Sequence, residues 1–465
     1  MSRSAIVIGG GLAGMLAASA LSQRVEEVTV LERYPLPEGP GPRKGIPQSL
    51  HAHILLPSGR DAIESLIPGA GIGGRLAAAG ARVSSLTSLL TFGTEGWFRR
   101  WGRDSHPLTV CSRDLLDWTV REAVLEEDNI AVRTTQVVGL LGSSARVTGV
   151  RLRDEDGQES DLSADLIVDV SGRGSRAVHW LKDLGITDVT ESVVDSGLVY
   201  ASRRYRIPKG AEDWPLTQVN ADPFSGEPGC SANLVPIEND EWLVSLGGTR
   251  GGEPTSSAED FTQFALSLRH PIVGELIADA EPLTDVVLSR STRNGRRYFE
   301  KARIWPEAFI VLGDAVATYN PVYGQGMSVA ALGAKALQEE LQRDGAGAPG
   351  LARRVQRAAA KPVEAAWAMS TSQDRQFPDV EGNPPNFADR ALTRYVRRMT
   401  RVATTSYQVS SAMCDVTTLQ KDAIWLVHPS LLLATLAGPV LPPLEGPPLT
   451  DEERAFFESY VSTAG

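Results

Sequence analysis

Three glycines near the N terminus have the spacing of a phosphate-binding turn. Gly9, Gly11 and Gly14 form a GxGxxG motif between an apolar, strand-like run and an Ala- and Leu-rich segment. Gly9 would allow the tight turn, Gly11 would let a pyrophosphate approach the backbone, and Gly14 would let helix and strand pack closely. Free N–H groups at the helix start, around Leu12 and Ala13, would face the phosphates. The motif therefore predicts a dinucleotide site.

An acidic residue closes the next strand-like run. Glu32 stands eighteen residues after Gly14, and Arg33 follows it. A carboxylate at this place can accept hydrogen bonds from the ribose hydroxyls of an adenosine, and we include Arg33 in the predicted site. The alternative is a glycine-rich turn with an unrelated surface glutamate. The strand and helix on either side of the turn favour nucleotide binding.

A second polar turn, GDAVATYNPVYGQG, follows the apolar run 309–312 and leads into a helix-like segment. Asp314 would stand at the carboxyl end of a strand, where it could bind a ribityl chain, the polyol that distinguishes a flavin from a nicotinamide. Pro321 and the Gly324-Gln325-Gly326 turn would aim backbone N–H groups at the flavin, whose pyrimidine edge becomes anionic on reduction. Gly313 and Met327 flank these groups. A simple Asp or Asn helix cap with an N-terminal Pro would not explain the two glycines, so the sequence favours FAD over NAD.

The pattern along the chain alternates between strands and helices. Strands are predicted at 4–8, 27–31, 130–153, 161–170 and in several runs between 197 and 291, with a further sheet segment at 82–103. Helices are predicted at 12–21, 58–79, 113–127, 260–268, 335–341, most of 350–440, and 451–461. The opening is a βαβ unit, and the middle of the chain reads as a mostly antiparallel sheet. This predicts an α/β fold, α+β overall.

Composition limits the partners. The chain has 465 residues and a formal net charge of −11 with scattered basic residues, so we expect no nucleic-acid or anionic-membrane partner. A neutral or cationic small molecule fits this charge. The three widely spaced cysteines match neither a disulfide framework nor a CxxC motif. The N terminus lacks signal-peptide features, and the longest apolar run, 431–440, is too short to span a bilayer; we expect a cytoplasmic protein, and the abundance of Arg, Ala and Gly hints at a GC-rich bacterial genome.

A His-x-His pair raises the hypothesis of a metal site. His51 and His53 would face one side of an extended segment, but no acid or cysteine stands at ligand spacing. Packing or loop hydrogen bonds explain the pair better. We therefore predict no metal site.

These motifs resemble those of FAD-dependent monooxygenases of the para-hydroxybenzoate hydroxylase fold. GxGxxG, a central motif and a late GD motif occur in the family's order, although the central motif, VDVSGRGSR at 168–176, has Ser171 where Asp is usual. RKGIPQSLHAH at 43–53, SGRGSR and GDAVATYNPVYGQGMSVAALGA look most like the squalene-epoxidase-like branch. Within it they are similar to the epoxidases of polyether ionophore biosynthesis, such as the lasalocid and monensin epoxidases.

The resemblance implies a domain arrangement and further cofactor contacts. A Rossmann-like FAD-binding domain (1–81, 104–185 and 298–345) would be interleaved with an antiparallel-sheet substrate domain (82–103 and 186–297), followed by a helical C-terminal region (346–465). Such a fold passes its chain across the cofactor after Glu32, so Arg43, Lys44 and Gln48 are expected at FAD. Arg113 matches an Arg that often contacts FAD in this fold. A solvated helix-start arginine is the alternative.

The resemblance also implies the chemistry. Reduced FAD would take up O2, and an alkene would attack the distal oxygen of a flavin C(4a)-hydroperoxide, with electrons from NAD(P)H directly or through a reductase. The expected substrate is an apolar, linear polyene polyketide, free or held by a carrier protein. Because an alkene has no activating proton, the protein would mainly exclude water and position the double bond. The aromatic residues proposed to line its cavity are Trp97, Trp101, Tyr200, Tyr205 and Phe224. The alternatives are hydroxylation of an aromatic polyketide, flavin-dependent halogenation, which lacks its expected motif and lysine here, and a non-redox binding protein of the same fold.

Overall fold

The computed structural model describes residues 3–290, 292–384 and 386–463. Residues 1, 2, 291, 385, 464 and 465, which fall inside the predicted domain ranges, lie outside the described residues. The strands are, in chain order, β1 (Ser4–Ile8), β2 (Glu27–Glu32), β3 (Arg82–Ser85), β4 (Leu90–Gly93), β5 (Gly96–Trp97), β6 (Pro107–Val110), β7 (Ile130–Thr134), β8 (Gln136–Gly142), β9 (Val147–Arg153), β10 (Glu159–Ser163), β11 (Leu166–Asp169), β12 (Glu191–Val194), β13 (Val199–Arg206), β14 (Thr217–Val219), β15 (Cys230–Ile237), β16 (Glu241–Gly248), β17 (Val287–Ser289), β18 (Asn294–Arg297), β19 (Phe309–Val311) and β20 (Ala317–Thr318). The helices are α1 (Leu12–Ser22), α2 (Pro57–Leu66), α3 (Ile72–Ala78), α4 (Arg113–Val124), α5 (Ala177–Asp183), α6 (Ala258–Leu266), α7 (Ile272–Ile277), α8 (Gly326–Asp344), α9 (Leu351–Asp374), α10 (Phe387–Ala403), α11 (Tyr407–Thr417), α12 (Pro429–Ala437) and α13 (Asp451–Thr463).

A parallel sheet forms the first layer. Its strand order is β19-β11-β1-β2-β7, and every neighbouring pair is parallel. The central strands β1 and β11 are almost entirely buried, as expected of continuous apolar runs covered on both faces. Helix α1 connects β1 to β2, which confirms the predicted βαβ opening. The carboxyl ends of β1, β2, β11 and β19 lie at one edge, where ligands bind in such sheets.

A larger sheet forms the second layer. Its order is β17-β13-β16-β15-β14-β4-β5, and its strands pair antiparallel except for β14 with β4. Strands β4 and β5 come from the early sheet segment and reach across to a strand more than a hundred residues later. A core of aromatic and aliphatic side chains lies between this sheet and α6 and α7. The interleaved arrangement of parallel and antiparallel sheets agrees with the predicted fold class.

The predicted helices need correction in two respects. The single helix predicted over 58–79 is two helices, α2 and α3, because Pro68 and Gly69 interrupt the segment and Gly71 takes a left-handed conformation at φ +59°. Helix α5 and helix α7, which follows Pro271, were not predicted.

Helices α9 to α13 build the C-terminal region. Helix α9 is the longest, with 24 residues, and accommodates Pro362 in its interior. Helices α10, α11 and α12 enclose a small core of their own that includes Met399, Val402 and Val409. No helix in the described part of the chain is long and apolar enough to cross a membrane.

Candidate functional site

One cavity joins the motifs that the sequence singled out. It has a volume of about 550 Å³, within the usual range for ligand sites. Its wall consists of the turn before α1, the ends of β2, β11 and β19, the loop after β2, the start of α4 and the turn before α8. The predicted cofactor residues that line it are Gly9, Gly11, Leu12, Ala13, Glu32, Arg33, Arg43, Lys44, Gln48, Arg113, Asp314, Pro321, Gly324, Gln325, Gly326 and Met327.

The glycines of the first turn are required for different structural reasons. Gly9 has φ +107°, and a Cβ there would lie 2.8 Å from the Val170 carbonyl oxygen. A Cβ on Gly14 would lie only 1.9 Å from the Gly9 carbonyl oxygen, so this glycine is needed for the approach of α1 to β1. Gly11 has ordinary backbone angles, and a Cβ on it would meet no atom within 4 Å. The fold therefore explains Gly9 and Gly14, whereas the open space at Gly11 is room for a ligand.

The start of α1 is open to that ligand. Gly11 is its N-cap and offers no side chain to the first-turn N–H groups. Those N–H groups and the positive end of the helix dipole attract an anion. This geometry fits a pyrophosphate at the turn.

Glu32 and Arg43 brace the turn from its other side. Glu32 Oε2 accepts a hydrogen bond of 2.7 Å from the Gly10 N–H and one of 3.1 Å from Arg43 Nη2. Arg43 Nη1 donates to the Gly10 carbonyl oxygen at 2.8 Å. The Glu32–Arg43 ion pair is largely buried. Both residues also line the cavity, so they can hold the glycine turn in place and still face a ribose or phosphate.

Asp314 occupies the opposite part of the wall. It follows β19 in a one-turn 3₁₀ segment, and its side chain is accessible within the cavity while Gly313 and Ala315 are buried. Although its side chain opens into the cavity, the surrounding protein desolvates it, which raises the pKa of Asp314 above its usual value, and the charges of Arg173 and Arg113 oppose that shift. A carboxylate beside two cations in a sheltered cavity is well placed to accept hydrogen bonds from a polyol.

Arg173 is a site residue that the sequence reasoning missed. It belongs to the SGRGSR turn and lines the cavity, and its buried Nε has no hydrogen-bond partner within the described protein. The turn is wrapped around Asp169, whose carboxylate accepts from Ser171 N at 2.9 Å, Ser171 Oγ at 2.6 Å and Ser175 Oγ at 2.6 Å. Ser171, which replaces the usual Asp, thus helps to shape the turn that carries Arg173. The SGRGSR motif in the sequence was the signal that could have identified Arg173.

The last wall is the turn that opens α8. Asn320 caps a short 3₁₀ segment, Pro321–Tyr323, by accepting from the Val322 N–H at 3.0 Å, and Gly324 follows with φ +64°. Gly326 begins α8, and a Cβ on it would meet nothing within 4 Å. The Gln325 side chain is buried and donates to the Thr417 carbonyl oxygen at 3.0 Å, so it ties the turn to α11. The helix start therefore faces the cavity with open space before it.

The charge of the cavity fits a dianionic ligand. Two acidic residues, Glu32 and Asp314, contribute to its described wall. The lysine and arginine side chains of the same wall are Arg33, Arg43, Lys44, Arg113, Arg173 and Arg176. Arg113 forms a 2.7 Å ion pair with Asp117 and is mostly buried, so it is no solvated helix-start arginine. In a chain of net charge −11, this local cationic excess matches the pyrophosphate of FAD.

His51 and His53 are held by hydrogen bonds of the loop. His51 Nδ1 lies 2.7 Å from Ser202 Oγ, and His53 Nδ1 donates to the His51 carbonyl oxygen at 2.8 Å. Burial lowers the pKa of His51 to about 4 and that of His53 to about 3. Both imidazoles are therefore neutral at neutral pH. Each lines the cavity, which the sequence did not suggest.

The aromatic residues proposed for the substrate divide into two groups. Tyr200 lines the cavity. The structure does not bring the other four to the described wall: Trp97 and Tyr205 are buried in the core of the second sheet, Trp101 packs edge-on against Tyr407, and Phe224 lies under Arg397. Tyr205 lies five positions after Tyr200 on β13, so the alternation of side chains along a strand places it on the opposite face of the sheet.

Comparison with known proteins gives the same picture. Residues 3–353 match the family described as FAD binding domain. Protein Rv3254 of Mycobacterium tuberculosis is 30% identical over 396 residues, which cover 82% of each chain.

Two solved structures show how widely the fold is used. PqsL of Pseudomonas aeruginosa, described as a probable FAD-dependent monooxygenase, has 18% identity and a TM-score of 0.58 over 81% of this chain and 98% of its own. The flavin-dependent brominase Bmp2 has 14% identity and a TM-score of 0.55 over 100% of this chain and 99% of its own. These likenesses establish the fold, and the family match together with the open glycine turns and the cationic wall establishes the cofactor. The chain belongs to the FAD-binding domain family of flavoproteins.

Proposed function

We propose that the chain is an FAD-dependent monooxygenase that epoxidises carbon–carbon double bonds of a linear polyene polyketide, in the biosynthesis of a polyether antibiotic. FAD, when bound, supplies the activation of O2. The single observation that favours epoxidation is the lack of a strong base among the described residues that line the cavity on the side of the second sheet.

The titratable groups on that side support this choice. His51 has its pKa lowered to about 4 by burial, and burial raises the pKa of Tyr200 above its usual value. Neither group is suited to take the proton of a phenol, whose own pKa is near 10. Hydroxylation of a phenol is helped by such a base, whereas an alkene has no activating proton to lose. The wall therefore suits an alkene better.

The residues of this chain would then bind the cofactor, position the substrate and exclude water. Gly11 and the start of α1 would receive the pyrophosphate, and Asp314 the ribityl chain. The start of α8, with Gly324 and Gly326, would face the pyrimidine edge and stabilise negative charge there. The neutral wall around Tyr200 would exclude water and position the double bond.

The test is a single-turnover reaction. The purified chain is loaded with FAD, reduced, mixed with O2 and a linear polyene polyketide, and the products are analysed by mass spectrometry. We expect a mass gain of one oxygen atom per reduced FAD, in the form of an epoxide that opens in acid. An aromatic polyketide of similar size serves as the matched control substrate. Oxygen transfer to the aromatic compound alone would establish aromatic hydroxylation instead, and a colourless chain that binds no added FAD would refute the monooxygenase proposal. Comparing NAD(P)H with a flavin reductase as the electron source would identify the donor.

A further inference from the structure

A buried carboxylate lies at the meeting point of four segments. Asp374 is the last residue of α9 and is completely inaccessible to solvent. Its oxygens accept hydrogen bonds from Asn294 Nδ2 at 2.7 Å, Tyr323 OH at 2.8 Å, Asn320 Nδ2 at 2.9 and 3.1 Å, and Ser196 Oγ at 3.4 Å. The four donors come from the start of β18, the turn before α8 and the loop after β12. Asp374 therefore joins the C-terminal region to three parts of the fold.

The partners of Asp374 are all neutral. Burial raises its pKa, the hydrogen bonds from the four side chains oppose that shift, and these hydrogen-bond partners in the described part of the chain include no lysine, arginine or histidine. A buried charge without a counter-ion is costly, and removing it would strand several buried donors. An Asp at this place is thus poorly explained by packing alone. Among the described residues all four hydrogen-bond partners donate to it, which fits an ionised, accepting carboxylate.

Two of the donors belong to the turn that faces the cavity. Asn320 precedes the 3₁₀ segment and Tyr323 ends it, and Asn320 also donates its N–H to Asn294 Oδ1 at 2.8 Å. Because Asn320 Oδ1 caps the 3₁₀ segment while Asn320 Nδ2 binds Asp374, the carboxylate fixes the orientation of that amide. The segment leads directly to Gly324 and Gly326 at the start of α8.

We propose that Asp374 is a positioning residue, which holds the turn 320–326 so that the start of α8 is aimed at the flavin. This role rests on the proposed function, since it assigns the flavin ring to that end of the cavity. Asp374 itself does not line the described cavity and acts through Asn320 and Tyr323. The C-terminal region thereby contributes to the cofactor site without touching it.

The test measures FAD binding in the full chain. Asp374→Asn keeps the size of the side chain but turns one acceptor into a donor that faces donors, so we expect FAD to bind about tenfold more weakly. We also expect a shift in the visible absorption bands of the bound flavin, which a loss of global stability alone would not cause. Tyr323→Phe removes one donor and should weaken binding by about threefold. The matched control is Thr371→Val on the same helix, whose buried hydroxyl donates within α9 to the Trp367 carbonyl oxygen; its FAD affinity and spectrum should equal those of the wild type.

The outcomes separate the inference from the proposed function. If Asp374→Asn and Tyr323→Phe bind FAD with the wild-type affinity and spectrum, the role of Asp374 is refuted while the monooxygenase proposal stands. If Asp374→Asn does not fold, Tyr323→Phe decides by the same two measurements. If the wild-type chain binds no FAD, both proposals fail together.

Discussion

Gly11→Ala separates the needs of the cofactor from the needs of the fold. Gly11 has φ −75° and ψ −175°, which alanine adopts freely, and a new Cβ would meet no protein atom within 4 Å. The substitution should therefore lower the free energy of unfolding of the ligand-free chain by only about 0.5–1 kcal/mol, because alanine is a poorer helix N-cap than glycine. The new methyl group would, however, fill space that the pyrophosphate needs.

The expected loss of FAD affinity follows from overpacking. Forcing a methyl group into a fitted contact costs roughly 1–3 kcal/mol, which corresponds to about 5- to 150-fold weaker binding. Denaturant unfolding of the ligand-free chain gives the stability, and titration with FAD, followed by the quenching of flavin fluorescence, gives the affinity. The control is Gly14→Ala, where the Cβ would lie 1.9 Å from the Gly9 carbonyl oxygen. That variant should lose about 3 kcal/mol or more of stability before any ligand is added. The reasoning is refuted if Gly11→Ala binds FAD as the wild type does, or if it destabilises the ligand-free chain as much as Gly14→Ala.

Three further predictions concern the wall of the cavity. Asp314→Ala should weaken FAD retention by about 10- to 100-fold, because hydrogen bonds to a charged acceptor are lost, and full flavin occupancy after gel filtration would contradict the ribityl contact. Arg43→Lys keeps the charge but cannot bridge both of its acceptors, so FAD should bind about tenfold more weakly in equilibrium titration; unchanged affinity would show that the bridge is dispensable. The pKa of His51 is lowered to about 4 in the folded chain, so the unfolded chain binds the extra proton, and His51 should cost about 2 kcal/mol of stability between pH 8 and pH 5. Urea unfolding of His51→Gln should show that much less loss over this range, with His179→Gln, at an exposed histidine, as the control; equal slopes in the two variants would rule the assignment out.

Much of the first layer could be predicted because its signals are local. Strand β1, helix α1 and the glycine turn depend on residues within about ten positions of one another, and the observed bounds match the predicted ones to within a residue. The prediction of one helix over 58–79 was wrong because a Pro-Gly pair and a left-handed Gly71 outweigh the apolar periodicity. The antiparallel sheet was recognised from its turns, but its strand order was not, since β4 pairs with a strand far away in the sequence.

The aromatic residues show that residue type alone does not predict which side chains line the cavity. Tyr200 and Tyr205 lie on the same strand, yet only Tyr200 belongs to the described wall of the cavity, while Tyr205 is buried against Phe261. Both residues are tyrosines, so residue type does not distinguish them. The elements that pack against each face of the strand set the environment of each side chain. A tunnel of aromatics could not be deduced without knowing those elements.

The sequence by itself determined the phosphate-binding turn, the acid after β2, the acid after β19 and hence the flavin family, because each is a short motif whose meaning depends on its immediate neighbours. Tertiary structure alone decided which glycines serve the fold and which leave room for a ligand, that Arg173 stands near Asp314, and that Asp374 gathers Ser196, Asn294 and Asn320 around one carboxylate. These groups lie between 54 and 178 residues from Asp374 in the chain. Contacts over such separations arise from the packing of sheets and helices, and no local pattern records them.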